Sequence, residues 1–137
     1  MAYQFSFDQL HKYDAREGGI TVKAVLQRGD RYAYTKARID TGAQVCLFSR
    51  EIGEDLGIDI ESGLPRELKT INGISTAYGH EVTLQTLGLT FYTVARFAKD
   101  TNLPRNLLGR QGWLRLVRLA VVDYDEELYL SPYDEQT

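Results

Sequence analysis

A single cysteine, Cys46, stands in this chain of 137 residues. No internal disulfide can form, and a reducing, cytoplasmic setting is the natural expectation. The two histidines, His11 and His80, show no metal-ligand spacing with each other or with Cys46, so no metal or other cofactor is expected. With no histidine arranged beside it, Cys46 reads as a small core thiol rather than a nucleophile. No apolar run approaches the length of a bilayer crossing, and the first residues lack the basic flank and apolar stretch of a signal peptide. Neither sign of charge dominates: 16 Lys and Arg face 19 Asp and Glu, a net charge of -3. The basic residues are scattered rather than striped, so neither nucleic acid nor a membrane is an expected partner. Nothing repeats internally either. That last absence matters most, because any catalytic motif here occurs once.

What is present is ordinary for a soluble globular protein: 43% hydrophobic and 26% charged residues. The length suits one domain over residues 1–137, with a core at about 20–130 and residues 1–18 as an N-terminal extension. Tyr3, Phe5 and Phe7 alternate with polar residues and suit a short strand. Ile20, Val22, Ala24 and Leu26 alternate again, turn at Arg28-Gly29-Asp30, and resume through Tyr32, Tyr34 and Ala37 to Ile39. In this setting the Arg-Gly-Asp triplet reads as a hairpin turn rather than an adhesion signal. Val45 to Phe48 form a further apolar run. Ser49 is the expected N-cap of a short helix reaching Leu56 and stopped by Gly57. Residues 68–86 predict a long hairpin turning near Asn72-Gly73, and residues 89–98 another strand. Asn106 to Arg110 lead toward a second short helix carrying Trp113, Leu114, Leu116 and Val117. A closing hairpin over residues 120–130 bends around Asp125-Glu126-Glu127. The pattern predicts a mainly β, closed fold with one or two short helices.

One short motif carries chemistry. Asp40-Thr41-Gly42 follows an apolar strand and precedes Ala43 and another. A carboxylate at a strand end can face a cleft, the Thr41 hydroxyl can lock the loop, and Gly42 lets a substrate backbone approach closely. One carboxylate cannot act as acid and base together. Two about 3 Å apart share a proton, so one takes a proton from water while the other polarises the scissile carbonyl. The chain supplies one such motif and no second lobe. A two-fold homodimer provides the other, since an isologous interface sets each residue opposite its own copy.

The segments Ala37-Arg38-Ile39-Asp40-Thr41-Gly42-Ala43, Ile71-Asn72-Gly73-Ile74 and Pro104-Arg105-Asn106-Leu107-Leu108-Gly109-Arg110 stand in the order and near the spacing of the retropepsins. The chain resembles these single-domain aspartic peptidases over residues 20–130, and resembles their bacterial branch in its closing helix and hairpin. The resemblance implies a retropepsin-like closed β-barrel with a flap hairpin, a homodimer acting on peptide or protein substrates, and Asp40 of each copy at the two-fold axis. It further implies that Thr41 bonds across that axis and that Gly42 meets substrate backbone. Ala43, Val45, Leu47 and Leu107 would line substrate pockets, and Ile71, Gly73 and Ile74 would form the flap tip. Gln44 and Val45 replace acidic residues common in the viral members, which leaves Arg110 without its usual partner, and Asn72 stands where those members favour glycine. Two functions therefore remain open: a homodimeric aspartic endopeptidase, and a catalytically inactive retropepsin-fold module for peptide binding or dimerisation.

Overall fold

Thr21–Arg28 (β2) and Arg31–Ile39 (β3) pair antiparallel from Thr21 opposite Arg38 to Arg28 opposite Arg31. The two residues between them are Gly29 and Asp30, and Gly29 takes φ 61°. A tight hairpin needs this mirror-image geometry to follow the strand twist, and glycine adopts it without a β-carbon clash. The Arg-Gly-Asp triplet is thus a turn. The computed structural model describes residues 1–70, 73–101, 103 and 105–134.

Five further strands complete the larger sheet: Leu47–Phe48 (β4), Leu64–Thr70 (β5), Gly73–Thr86 (β6), Leu89–Ala98 (β7) and Asn106–Leu108 (β8). Their order is β2-β3-β8-β4-β7-β6-β5, and β2 also pairs with β6 from Ala24 opposite Thr86 to Gln27 opposite Thr83. The added pairing closes six strands into a ring and leaves β5 as an appended edge, the closed mainly β fold that the sequence predicts. Gln9–Lys12 (β1), Val117–Val122 (β9) and Glu127–Pro132 (β10) form a separate sheet in the order β1-β10-β9. One continuous cluster of buried residues joins the two sheets: Val22, Leu26, Phe48, Leu84, Phe97 and Leu108 meet Tyr13, Trp113, Leu128 and Leu130.

Among the described residues Arg50–Asp55 forms the one α-helix, α1. Ser49 caps it by accepting from the Ile52 N–H at 3.3 Å. At its other end the N–H groups of Gly57 and Ile58 bond the carbonyls of Glu54 and Gly53, and Gly57 takes φ 74°. This paired closure satisfies carbonyls the helix cannot, and it needs a left-handed residue where glycine stands. Among the described residues no helix is long and apolar enough to cross a membrane.

Two expectations change in detail. Tyr3, Phe5 and Phe7 are not in a strand, and the first strand begins at Gln9. Alternation supplies a side-chain pattern but not a partner: the pairing with β10 ends at Gln9 opposite Leu130, and the next N–H, of Asp8, goes to the Ser131 hydroxyl. Phe7 packs near Tyr129 and beneath the Arg118 guanidinium, while Tyr3 and Phe5 stay exposed. On β3 the inward row is Ala33, Ala37 and Ile39, and Tyr32 and Tyr34 face outward. The second helix reduces to a 3-10 turn at Leu114–Leu116. Gly112 at φ 104° and Trp113 at φ -148° break helical geometry just before it, and the chain must enter β9 just after. Trp113 is fully buried, but not on a helix face.

Candidate active site

Asp40 sits where β3 stops. The Ile39 N–H bonds the Ile20 carbonyl at 2.8 Å, and the Asp40 N–H bonds the Leu108 carbonyl at 3.0 Å, which fixes the strand end from both sides. One carboxylate oxygen, Oδ1, accepts from the Gly42 N–H at 2.9 Å, and the Ala43 N–H bonds the Asp40 carbonyl at 3.2 Å. The side chain therefore folds over its own turn, as aspartate favours. Asp40 and Ala43 are partly exposed, and Thr41 and Gly42 are exposed.

The frame around this turn comes from far along the sequence. β8 lies between β3 and β4, parallel to the first and antiparallel to the second. Beyond it, the N–H groups of Arg110 and Gln111 bond the carbonyls of Ala43 and Gln44, each at 2.9 Å. Gly109 makes the close passage possible: a β-carbon there would stand 2.1 Å from the Val45 oxygen and 2.8 Å from the Ala43 oxygen. Glycine is required by contact, not by φ.

The apolar residues after Asp40 divide between two faces. Cys46 and Phe48 join the core cluster, as does Leu108. Val45 and Leu47 are buried but stand outside that cluster, and Leu47 pairs directly with Leu107, which is half-buried. Since side chains alternate along a strand, Val45, Leu47 and Leu107 share the face turned away from the core. The structure thus brings together three of the residues expected to line pockets. Burial pushes the Cys46 thiol up to about 11 against an opposing backbone hydrogen bond at Gly109, so the thiol stays protonated at neutral pH.

The expected flap is the β5–β6 hairpin, paired from Leu64 opposite Gly79 to Thr70 opposite Gly73. It begins four residues earlier than the sequence suggests. Gly73 takes φ 119°, with open space where a side chain would project, and Ile74 is exposed. Ile71 and Asn72, expected at the tip, lie outside the described residues, as does Pro104.

Sequence reasoning missed Arg66. It lies on β5 and donates from Nη2 to the Gln44 side-chain oxygen at 2.6 Å. Its strand was read from Leu68 onward, and no motif marks a lone arginine. Periodicity two residues further back was the available signal.

A closed barrel with an aspartate turn framed by a distant inserted strand defines the aspartyl protease class. The family model described as aspartyl protease matches residues 28–111, from the first hairpin turn through the segment that frames Asp40, and the chain belongs to that family. Within it the fold is retropepsin-like. A retropepsin-like aspartic protease from Rickettsia conorii superposes with a TM-score of 0.66 at 21% identity, over 90% of this chain and 97% of that one. The EIAV protease complexed with the inhibitor HBY-793 superposes with a TM-score of 0.53 at 18% identity, over 69% of this chain and 84% of that one. A search of curated proteins found no match.

Proposed function

We propose that this chain is an aspartic endopeptidase, active as a homodimer, in which a water between two Asp40 carboxylates, one per copy, attacks the peptide bond. The observation that carries the reading is the single Asp40-Thr41-Gly42 turn, held at a strand end by β8 in a member of the aspartyl protease family. Hydrolysis by this chemistry needs two carboxylates, and a second copy supplies the other.

In this reading the ionised Asp40 takes a proton from the water and the protonated one donates to the carbonyl oxygen. Thr41 braces the turn across the two-fold axis, and Gly42 bonds the substrate backbone. The substrate lies extended beneath the β5–β6 hairpin, with Ile71, Gly73 and Ile74 over it, and adds to the site as a strand does. Its apolar side chains meet Ala43, Val45, Leu47 and Leu107. Residues 1–137 act as one domain, a reading supported by the core cluster that both sheets share. The one cysteine suits a cytoplasmic setting.

The test incubates the purified chain with a peptide library between about pH 4 and 6, a mildly acidic range suited to carboxylate acid–base chemistry. Asp40→Asn should lower cleavage on the order of 10⁴-fold, the loss typical of a residue in the reacting set, without changing the circular dichroism spectrum. Equal cleavage by both proteins would exclude Asp40 as the catalyst. Peptide retention without cleavage by either would favour the binding module.

A further inference from the structure

Beside the Asp40 turn lies a small cavity of about 130 Å³ lined by Gln44, Arg66, Arg110, Gln111 and Arg115. Its three arginines come from separate places: Arg66 from β5, Arg110 from the segment that frames the turn, Arg115 from the 3-10 turn. Arg66 directs its guanidinium at two amide oxygens, Gln44 Oε1 at 2.6 Å and Gln111 Oε1 at 3.5 Å. A fourth, Arg96 on β7, lines the adjoining cavity with Val45, Gln111 and Gly112. Burial, with the charge of Arg66 adding to it, pushes the Arg96 guanidinium below its usual range.

None of these four arginines forms an ion pair among the described residues. The pairs that do form engage Lys12, Arg16, Lys36 and Arg50 with Glu127, Asp14, Glu17, Glu54 and Glu61. Acids are not scarce, since 19 face 16 bases. None of them lines this cavity. Like charges gathered without a counter-charge disfavour one another, and an amide oxygen answers a guanidinium only in part. A carboxylate fits its fork with two parallel hydrogen bonds.

Size selects the occupant. Pockets for whole small-molecule ligands run to about 300–1,000 Å³, so about 130 Å³ suits one side chain. Gln44 places the cavity on the stretch of chain that follows Asp40, against the hairpin strand that carries Arg66.

We propose that Arg66, Arg110 and Arg115 form a specificity subsite that takes the Asp or Glu side chain of a peptide bound beside Asp40. This rests on the peptide-cleaving reading for its ligand, but not on turnover. The neighbouring apolar row of Val45, Leu47 and Leu107 would then set a mixed preference, apolar at one substrate position and acidic at another.

The test separates binding from catalysis. Immobilised Asp40→Asn protein is offered a library of extended decapeptides in which one glutamate, or one glutamine as control, is walked along otherwise apolar positions. Retained peptides are counted by mass spectrometry. Glutamate should be enriched over glutamine about tenfold at one position, the discrimination that one charge-assisted hydrogen bond supplies. Added salt should weaken the preference. Arg66→Gln and Arg110→Gln, each placed on the Asp40→Asn background, should abolish it. Arg115→Gln, at an exposed position, gives an independent variant should Arg66→Gln fail to fold.

Equal retention of both peptide sets, or a preference that survives the arginine changes, overturns the subsite. So does a shift of the monomer–dimer equilibrium in those variants with the preference intact, which would make the cavity a contact between copies. Selective glutamate binding by a chain that cleaves nothing with Asp40 intact would sustain the subsite and sink the peptidase reading.

Discussion

At Gly109 a β-carbon would meet two carbonyl oxygens of the chain crossing it, those of Val45 and Ala43. Both are backbone atoms and neither can swing aside. Gly109→Ala should cost at least about 3 kcal/mol, the upper range for overpacking, and urea unfolding should show it. A loss under about 1 kcal/mol would mean that the crossing relaxes more easily than its contacts imply. At this scale the sequence was legible where chemistry marks a residue. Asp40, Thr41 and Gly42 form a motif, and strand alternation explains why Val45 and Leu47 part from Cys46 and Phe48. It was not legible where a residue acts only through its place in space. Arg66 meets Gln44 because β5 is laid beside the Asp40 turn, and local pattern carries no record of that.

Elements were readable to the degree that their ends carry signals. Ser49 and Gly57 bracket α1 with a cap and a left-handed closure, and both lie where the sequence puts them. Ser49→Ala should destabilise the fold by about 1 kcal/mol, the usual value of an N-cap. Thermal unfolding with an unchanged spectrum at low temperature checks it, and an unaltered melting temperature would show that the 3.3 Å cap bond contributes nothing. The second expected helix lacks such brackets. Its apolar spacing is real, but Gly112 at φ 104° and Trp113 at φ -148° deny it a start. The aromatic alternation of Tyr3, Phe5 and Phe7 likewise matches a strand, yet the ladder with β10 reaches only to Gln9. Periodicity describes which side chains could face inward and says nothing about which backbone is available to pair.

For the molecule as a whole, the small sheet carries its own pH dependence. The Tyr13 hydroxyl donates to the Asp123 carboxylate, which with burial pushes it up to about 12. Hydrogen bonds to Glu127 likewise raise Tyr129 and Lys12. All three groups favour their protonated forms when folded. Their contribution is therefore fully present below the unfolded values near 10 and is lost as pH rises toward 12. Urea unfolding between about pH 9 and 12 should show falling stability, with a shallower fall for Tyr13→Phe. Identical slopes for the two proteins would remove Tyr13 from the account. The fold class itself followed from the order of strands and the aspartate motif. The β2–β6 pairing that closes the ring did not, since no residue in either strand announces the other.

The insertion of β8 between β3 and β4 has a consequence in time as well as space. A chain emerging from the ribosome exposes Asp40 long before Leu108, which stands opposite Ile39 from about seventy residues further on. Contacts so distant in sequence form late, because the intervening chain must first exist and then close its loop. Throughout that interval the aspartate lacks the carbonyl of Leu108 and the Arg110 and Gln111 amides that fix its turn. In the peptidase proposed above, the nascent polypeptide would thus carry Asp40 in an unassembled state, and synthesis itself would work as a safety catch.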